Sequence, residues 1–363
     1  MNDSGMMKNE AQRISRIVLI LPCCIGDVVI ATAVLSALRR AYPQSHITWA
    51  VGGWSRHAVE HHPDLNAILD TGAAALPVKS IGGFARFVGQ LRGGHFDLAV
   101  SLVRSPLMSA AVWLSGIPRR AGLDSNGRGF GYNIRAAIDP DVIRHEGEIY
   151  LDVPRALGLD TSGCYAHVPI SEPERSAARR LLPDDAAFAR GFIMINPAGG
   201  RNPGMVMDSK RYPPNQLAEL ANQLYARYEL PYVLIGAKSD RPILDALTAD
   251  LRAPYRLFAG DLSFQQIAAL AALSAAYIGS DTGLTHLAAA AGAKTIMILG
   301  PTDPARYAPF TAPDQSLTLW KPYAVAGRGV AAGDVRGWDW VRDGISVSEA
   351  YTQITNFLGT DRE

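Results

Sequence analysis

Cysteine is scarce in this chain: only Cys23, Cys24 and Cys164 occur in 363 residues. The odd count gives no disulfide framework, and no C-x-x-C pair is present to hold zinc. Reduced thiols in a cytosolic protein are the expectation. Phosphate-loop signatures are missing too. No G-x-x-x-x-G-K-[ST] segment occurs, and the absence of G-x-G-x-x-G disfavours a nicotinamide dehydrogenase. Charge of one sign is lacking: 35 Lys and Arg face 34 Asp and Glu, for a net charge of +1. That argues against bulk binding to nucleic acid. The longest apolar run, Ile17 to Leu38, is interrupted by Pro22, Gly26 and Asp27. A central Asp costs about 2.5–3.5 kcal/mol on membrane insertion. A strand, a loop and a helix explain the same residues without that cost. His57, His61 and His62 share one segment, and no metal site is expected from them.

What is present describes a globular protein. The chain is 48% hydrophobic and 19% charged, and is long enough for two domains. Residues 1–14 form a polar lead, expected to be disordered. Apolar strand candidates follow at Arg16–Leu21, Ile47–Val51, Leu98–Leu102, Phe192–Asn196, Tyr232–Ile235, Ala276–Gly279 and Thr295–Leu299. Helical patterns such as Val28–Tyr42, Phe84–Leu91, Pro213–Tyr228, Arg241–Leu251 and Phe264–Leu273 separate them. This alternation predicts parallel sheets with helices on both faces. A Pro-bearing break near 170–185 suggests two doubly wound domains, at 15–175 and 176–345. A last helix, within 346–363, is expected to pack back on the N-terminal domain.

The most informative stretch is Tyr277-Ile278-Gly279-Ser280-Asp281-Thr282-Gly283-Leu284-Thr285-His286, followed by Gly300-Pro301-Thr302-Asp303-Pro304. It reads as strand, polar turn and helix, a turn that offers backbone N–H groups and a helix N-terminus to a phosphate or diphosphate. Asp281 falls at the carboxyl end of a strand, where open α/β sheets bind ligands. A carboxylate repels phosphate but suits sugar hydroxyls, so the pair of features suggests a sugar attached to a diphosphate. Other candidates lie at similar points. Gly26 and Asp27 follow the first strand, where Asp27 could equally cap the next helix. Asn196-Pro197-Ala198-Gly199-Gly200 is a glycine turn. Lys210 could neutralise a diphosphate or be a solvated loop residue. Asp240 could meet a ribose or cap a helix. Leu262, in Gly260-Asp261-Leu262-Ser263, could flank a base, with Ser263 as the helix cap.

Taken in order, these segments resemble the bacterial lipopolysaccharide heptosyltransferases, glycosyltransferase family nine. The matching pieces are Ile25-Gly26-Asp27-Val28, Asn196-Pro197-Ala198-Gly199 with Lys210-Arg211-Tyr212-Pro213, Gly260-Asp261-Leu262-Ser263, and above all Ser280–His286 with Gly300–Pro304. The resemblance implies a GT-B fold, with two Rossmann-like domains facing a central cleft and the donor held mainly by the C-terminal one. It implies an inverting transfer from ADP-heptose with no metal and no cofactor. Carried over, Asp27 is the general base, with Gly26 and Arg104 on the acceptor side. Lys210 stabilises the leaving diphosphate, and Asp281 holds the donor sugar. Thr282, Gly283 and Leu284 meet phosphate through their backbone, and His286 supports that turn. Gly199 and Gly200 occupy phosphate contacts, and Asp240 and Leu262 lie near the ribose and base. Lipopolysaccharide members carry a lysine after strand one where this chain has Leu21-Pro22. The acceptor class therefore widens to another glycan, a protein or a small molecule. The expected location is cytoplasmic, including the inner face of the cytoplasmic membrane with peripheral contact. Two alternatives share the fold: a sugar-nucleotide epimerase-like enzyme and a non-catalytic nucleotide-sugar-binding protein.

Overall fold

The structure is a computed structural model describing residues 14–202, 205–322 and 337–359. The polar lead at 1–13 lies outside the described residues. The chain divides into two compact units, Met1–His167 and Val168–Glu363.

The first unit is built on six parallel strands, β1 (Arg16–Ile20), β2 (His46–Val51), β3 (Ala67–Asp70), β4 (Leu98–Ser101), β5 (Arg119–Ser125) and β6 (Ile134–Ile138), in the order β3-β2-β1-β4-β5-β6. Helices α1 (Ile25–Ile30), α2 (Thr32–Ala41), α3 (Ile81–Gly93), α4 (Pro106–Leu114) and α5 (Glu146–Ala156) cover it. Ile17 to Ile20 are completely buried in the central strand, which is why β1 reads as an unbroken apolar run rather than an alternating one. The expected helix Val28–Tyr42 is two helices. It begins earlier, at Ile25, and breaks at Ala31, where the Thr32 hydroxyl turns back to the Val29 carbonyl at 2.6 Å. Asp27 therefore lies inside the first turn of α1 and is not its cap.

The expectation of reduced thiols is corrected at Cys23 and Cys24, which are joined by a disulfide in the turn between β1 and α1. A rule that counts separated cysteines does not reach two neighbours brought together by one turn. Cys164 is a buried free thiol. The segment once readable as a membrane span is thus β1, the turn, α1 and α2. No helix among the described residues is long and apolar enough to cross a membrane.

The second unit repeats the plan. Its strands are β7 (Ile193–Asn196), β10 (Tyr232–Gly236), β11 (Tyr255–Ala259), β12 (Ala276–Ser280), β13 (Thr295–Ile298) and β14 (Ser316–Leu319), ordered β11-β10-β7-β12-β13-β14, with a small ribbon of β8 (Arg201–Asn202) and β9 (Met205–Val206). Its helices are α6 (Glu172–Arg179), α7 (Ala186–Ala189), α8 (Pro214–Tyr228), α9 (Arg241–Ala249), α10 (Phe264–Leu273), α11 (Gly283–Ala290), α12 (Pro304–Tyr307), α13 (Trp340–Asp343) and α14 (Val347–Leu358). The last helix packs into the core of its own unit. Ala350 and Ile354 of α14 are fully buried in the core of the second unit, with Leu217, Ala221 and Leu224 of α8. The apolar stripe of α14 finds its partner in its own unit.

Each sheet has the order of a dinucleotide-binding α/β fold, in which the strand sequence reverses beside the first strand. The reversal lies between β1 and β4 in one unit and between β7 and β12 in the other. In folds of this kind ligands bind at that point, beyond the carboxyl ends of the strands.

Candidate functional site

The second unit gathers four loops at its reversal point. The turn after β7 carries Gly199 and Gly200, with φ of +142° and +70°. Both angles favour glycine. A Cβ at Gly199 would run into the Cγ2 of Thr282, so the two turns touch. Thr282 in turn caps α11, its side chain accepting from the Thr285 N–H at 3.3 Å. Arg211 donates to the Gly199 carbonyl at 2.6 Å. The Tyr212 N–H donates to Ser280 Oγ at 3.1 Å. Gly300 sits so close to the Ser209 carbonyl that no side chain fits between them. These contacts bring Lys210, Asp281 and Thr302 together.

Lys210 Nζ and Asp281 Oδ2 form a close ion pair, and the Thr302 hydroxyl donates to the same oxygen at 3.0 Å. His286 Nε2 stands 3.8 Å from Asp281 Oδ1. Burial alone would raise the Asp281 carboxyl. The Lys210 ammonium, and His286 beside it, reverse that and hold it below the usual carboxylate range. The sequence reading gave Lys210 and Asp281 separate partners, and the structure pairs them with each other. Thr302 enters the site as a residue that the Gly300–Pro304 motif contained but to which sequence reasoning assigned no role. The backbone of Gly283 and Leu284 opens α11, whose free N–H groups and positive dipole end suit an anion.

Asp240 and Leu262 sit on a neighbouring pair of loops. The Gly260 N–H donates to the Gly236 carbonyl at 2.7 Å, which ties the turn after β11 to the turn after β10. Asp240 is buried and accepts from the Ala237 N–H at 2.9 Å, ordering the short turn before α9. Leu262 is half-buried, and Ser263 caps α10 in a reciprocal box with Gln266.

In the first unit, Asp27 and Arg104 lie at the carboxyl ends of β1 and β4, on the two sides of the reversal point. Asp27 Oδ2 receives a long bond of 3.5 Å from the Cys24 N–H. Its Oδ1 accepts from the Tyr150 hydroxyl at 2.8 Å. Arg104 is bidentate to Glu146, at 2.5 and 3.3 Å, and Glu146 is buried. Glu146 and Tyr150 are four residues apart on α5, hence on one face. A single helix therefore positions both the Asp27 carboxylate and the Arg104 guanidinium. Neither Glu146 nor Tyr150 was found from sequence. Their i,i+4 spacing is a signal, but nothing local says what that face meets. Gly26 lies in the first turn of α1, half-buried.

The three histidines have partners within the protein. His57 meets Glu60 at 2.6 Å, and His62 Nε2 lies 2.9 Å from the His167 carbonyl. Burial pushes the His62 imidazole down from its ordinary value.

Two expectations follow from this geometry. Gly199→Val should displace Thr282 and abolish nucleotide binding, read by calorimetry with ADP, while circular dichroism stays native. Retained affinity would mean that the two turns do not form one site. Tyr150→Phe should lower turnover roughly ten- to a hundredfold, the range for a bond to a charged group. It should also move the acidic limb of the pH–rate profile upward, because a donor to the ionised carboxylate is lost. A pH profile that does not move would leave Tyr150 as packing only.

Two doubly wound sheets, each with polar residues beyond the strand carboxyl ends at its reversal point, define a two-unit α/β protein. The chain belongs to glycosyltransferase family 9 (heptosyltransferase), whose family model matches residues 84–325. It is 27% identical over 303 residues to lipopolysaccharide heptosyltransferase 2 of Salmonella typhimurium, covering 80% of this chain and 84% of that protein. Among solved structures it resembles the glycosyl transferase family 9 protein of Veillonella parvula, with TM-score 0.78 and 20% identity over 95% of this chain and 97% of that one. It also resembles the ADP-heptose lps heptosyltransferase II of E. coli, with TM-score 0.72 and 22% identity over 94% and 98%. The fold is thus α/β of the GT-B class, and the protein is a glycosyltransferase.

Proposed function

We propose that this enzyme transfers a heptose from ADP-heptose to an acceptor hydroxyl, with inversion and without a metal. The observation that carries the reading is the buried Lys210–Asp281 pair beside the N-terminus of α11. Such a pair gives one cation for a diphosphate and one carboxylate for sugar hydroxyls. The donor's diphosphate draws Lys210 and the N–H groups of Thr282 to Leu284, and Asp281 turns to the sugar. Gly199 and Gly200 let phosphate approach the backbone. Asp240 and Leu262 serve the ribose and base.

Asp27, oriented by Tyr150, takes the proton of the acceptor hydroxyl. The acceptor oxygen forms a bond to the anomeric carbon as the bond from that carbon to the diphosphate breaks, and ADP leaves. One displacement inverts the configuration. Charge growing on the leaving diphosphate meets Lys210 and the helix end, so the reading requires no metal ion and no cofactor. Arg104 serves the acceptor. A lipopolysaccharide core sugar is the acceptor that the relatives' names favour, at the cytoplasmic side of the membrane.

The test is a panel of ADP-, GDP- and UDP-linked sugars, with thermal shift for binding and ADP release for turnover. ADP-heptose should stabilise the protein and yield ADP only when acceptor is added, and EDTA should leave the rate unchanged. Isomerised sugar, binding without turnover, or a rate lost to chelation and restored by Mg²⁺ would each overturn the reading.

A further inference from the structure

We infer that the first unit carries a docking surface for an anionic lipid bilayer, formed by α4 and the crossover between β5 and β6. Leu107, Trp113 and Leu114 of α4 are 50, 55 and 42% exposed. Leu107 and Leu114 lie seven residues apart, two turns along one face, and Trp113 adjoins Leu114 about 100° round the helix, four residues from Ser109. Phe130, on the crossover, is 50% exposed. It belongs to the same patch, because the adjacent Gly131 donates its N–H to Ser109 Oγ at 2.7 Å, and a Cβ on Gly131 would lie 2.9 Å from Trp113 Cβ. Trp113, Leu114 and Phe130 thus stand exposed beside one another, with Leu107 two turns away on α4, where a core would have hidden them.

Basic residues frame the patch. Arg92 donates to the Leu114 carbonyl at 2.8 and 3.2 Å, and Arg135 donates to the Phe130 carbonyl at 3.1 Å. Arg128 is exposed two residues before Phe130. From Lys79 to Arg135 the sequence holds eight basic residues (Lys79, Arg86, Arg92, Arg104, Arg119, Arg120, Arg128, Arg135) and two acids, Asp97 and Asp124. Both acids are engaged: Asp97 accepts from Ser15 and Arg16, and Asp124 accepts from the Gly129 N–H and faces Arg135. Arg104 is matched by Glu146, which leaves seven basic residues against two acids. The whole chain is nearly neutral at +1, so this excess is local. Its sign is complementary to phosphate headgroups. A Trp and a Phe flanked by arginines match the layered chemistry of a bilayer interface, with rings at headgroup depth and guanidinium groups among the phosphates.

The full-length enzyme should co-sediment with vesicles of phosphatidylcholine mixed with phosphatidylglycerol, and not with phosphatidylcholine alone. Added salt should weaken the binding. Trp113→Ser with Phe130→Ser should cut partitioning about tenfold or more. Arg92→Gln with Arg128→Gln, which removes two units of charge, should cut it by roughly twenty-five-fold, at about fivefold per unit of charge. Tyr255→Ser, an exposed ring of the second unit, should change nothing. ADP binding by each variant reports that the fold survives, and the vesicle assay does not depend on which sugar is transferred. No binding to the anionic vesicles, equal binding to both vesicle types, equal loss in the Tyr255→Ser control, or a dimer in sedimentation that Trp113→Ser dissolves would overturn the inference.

Discussion

Asp27→Asn is expected to lower turnover by roughly 10²–10⁴-fold, the usual worth of a general base. The affinity for donor should stay near that of the unaltered enzyme, because Asp27 belongs to the unit that does not hold the nucleotide in this reading. Asparagine keeps the size of the side chain and still accepts a bond from Tyr150 Oη, which donates to Asp27 Oδ1 at 2.8 Å. The bond from the Cys24 N–H is already long at 3.5 Å, so little of the helix depends on the charge. The experiment therefore separates chemistry from structure. Steady-state ADP release measures the rate, and calorimetry with ADP measures the affinity. A variant that turns over normally would return Asp27 to the role of a first-turn acid stabilising a helix N-terminus.

Lys210→Ala should be costly twice over. The side chains of Lys210 and Asp281 are only 12% and 9% exposed. Removing the ammonium leaves a buried carboxylate with Thr302 as its close donor, a loss of about 3–5 kcal/mol for such pairs. The melting temperature should fall, and donor affinity and turnover should fall with it, since the lysine faces charge present before and during the reaction. The double change Lys210→Met with Asp281→Asn removes both charges. It should recover most of the stability and none of the activity. If the single variant melts and binds ADP like the parent, the pair is not a structural and functional unit. Acid gives an independent reading. The Asp281 carboxyl is lowered in the folded protein, so its contribution is complete above about pH 4, near the unfolded value. It fades as the pH falls through the lower folded value, and the Asp281→Asn background should lack that component.

Much of this was legible in one dimension because the physics is local. Buried parallel strands need unbroken apolar runs, and helices between them need an amphipathic or Ala-rich pattern. Most of the central strands and the helices Phe264–Leu273 and Val347–Leu358 follow directly. So do the turn chemistry at Thr282 and Ser263, which cap their helices, and the glycines at 199 and 200, whose backbone angles demand them. Outer strands were less visible. β3, β5, β6, β11 and β14 include partly exposed positions, as in the Arg119–Ser125 and Tyr255–Ala259 segments, and their pattern is mixed.

The sequence by itself determined the α/β class, the two-sheet plan, the family and the set of turns where polar residues collect. Each depends on residue order over a few turns of chain. The tertiary structure decided which of those residues are partners. Lys210 meets Asp281 across 71 positions, Tyr150 meets Asp27 across 123, and Arg104 meets Glu146 across 42. It also decided that α14 packs within the second unit and that Trp113, Leu114 and Phe130 stay in solvent. An apolar side chain in the sequence announces that it prefers to leave water. Whether anything in the folded chain is placed to cover it depends on strand order and helix packing, which no local pattern contains.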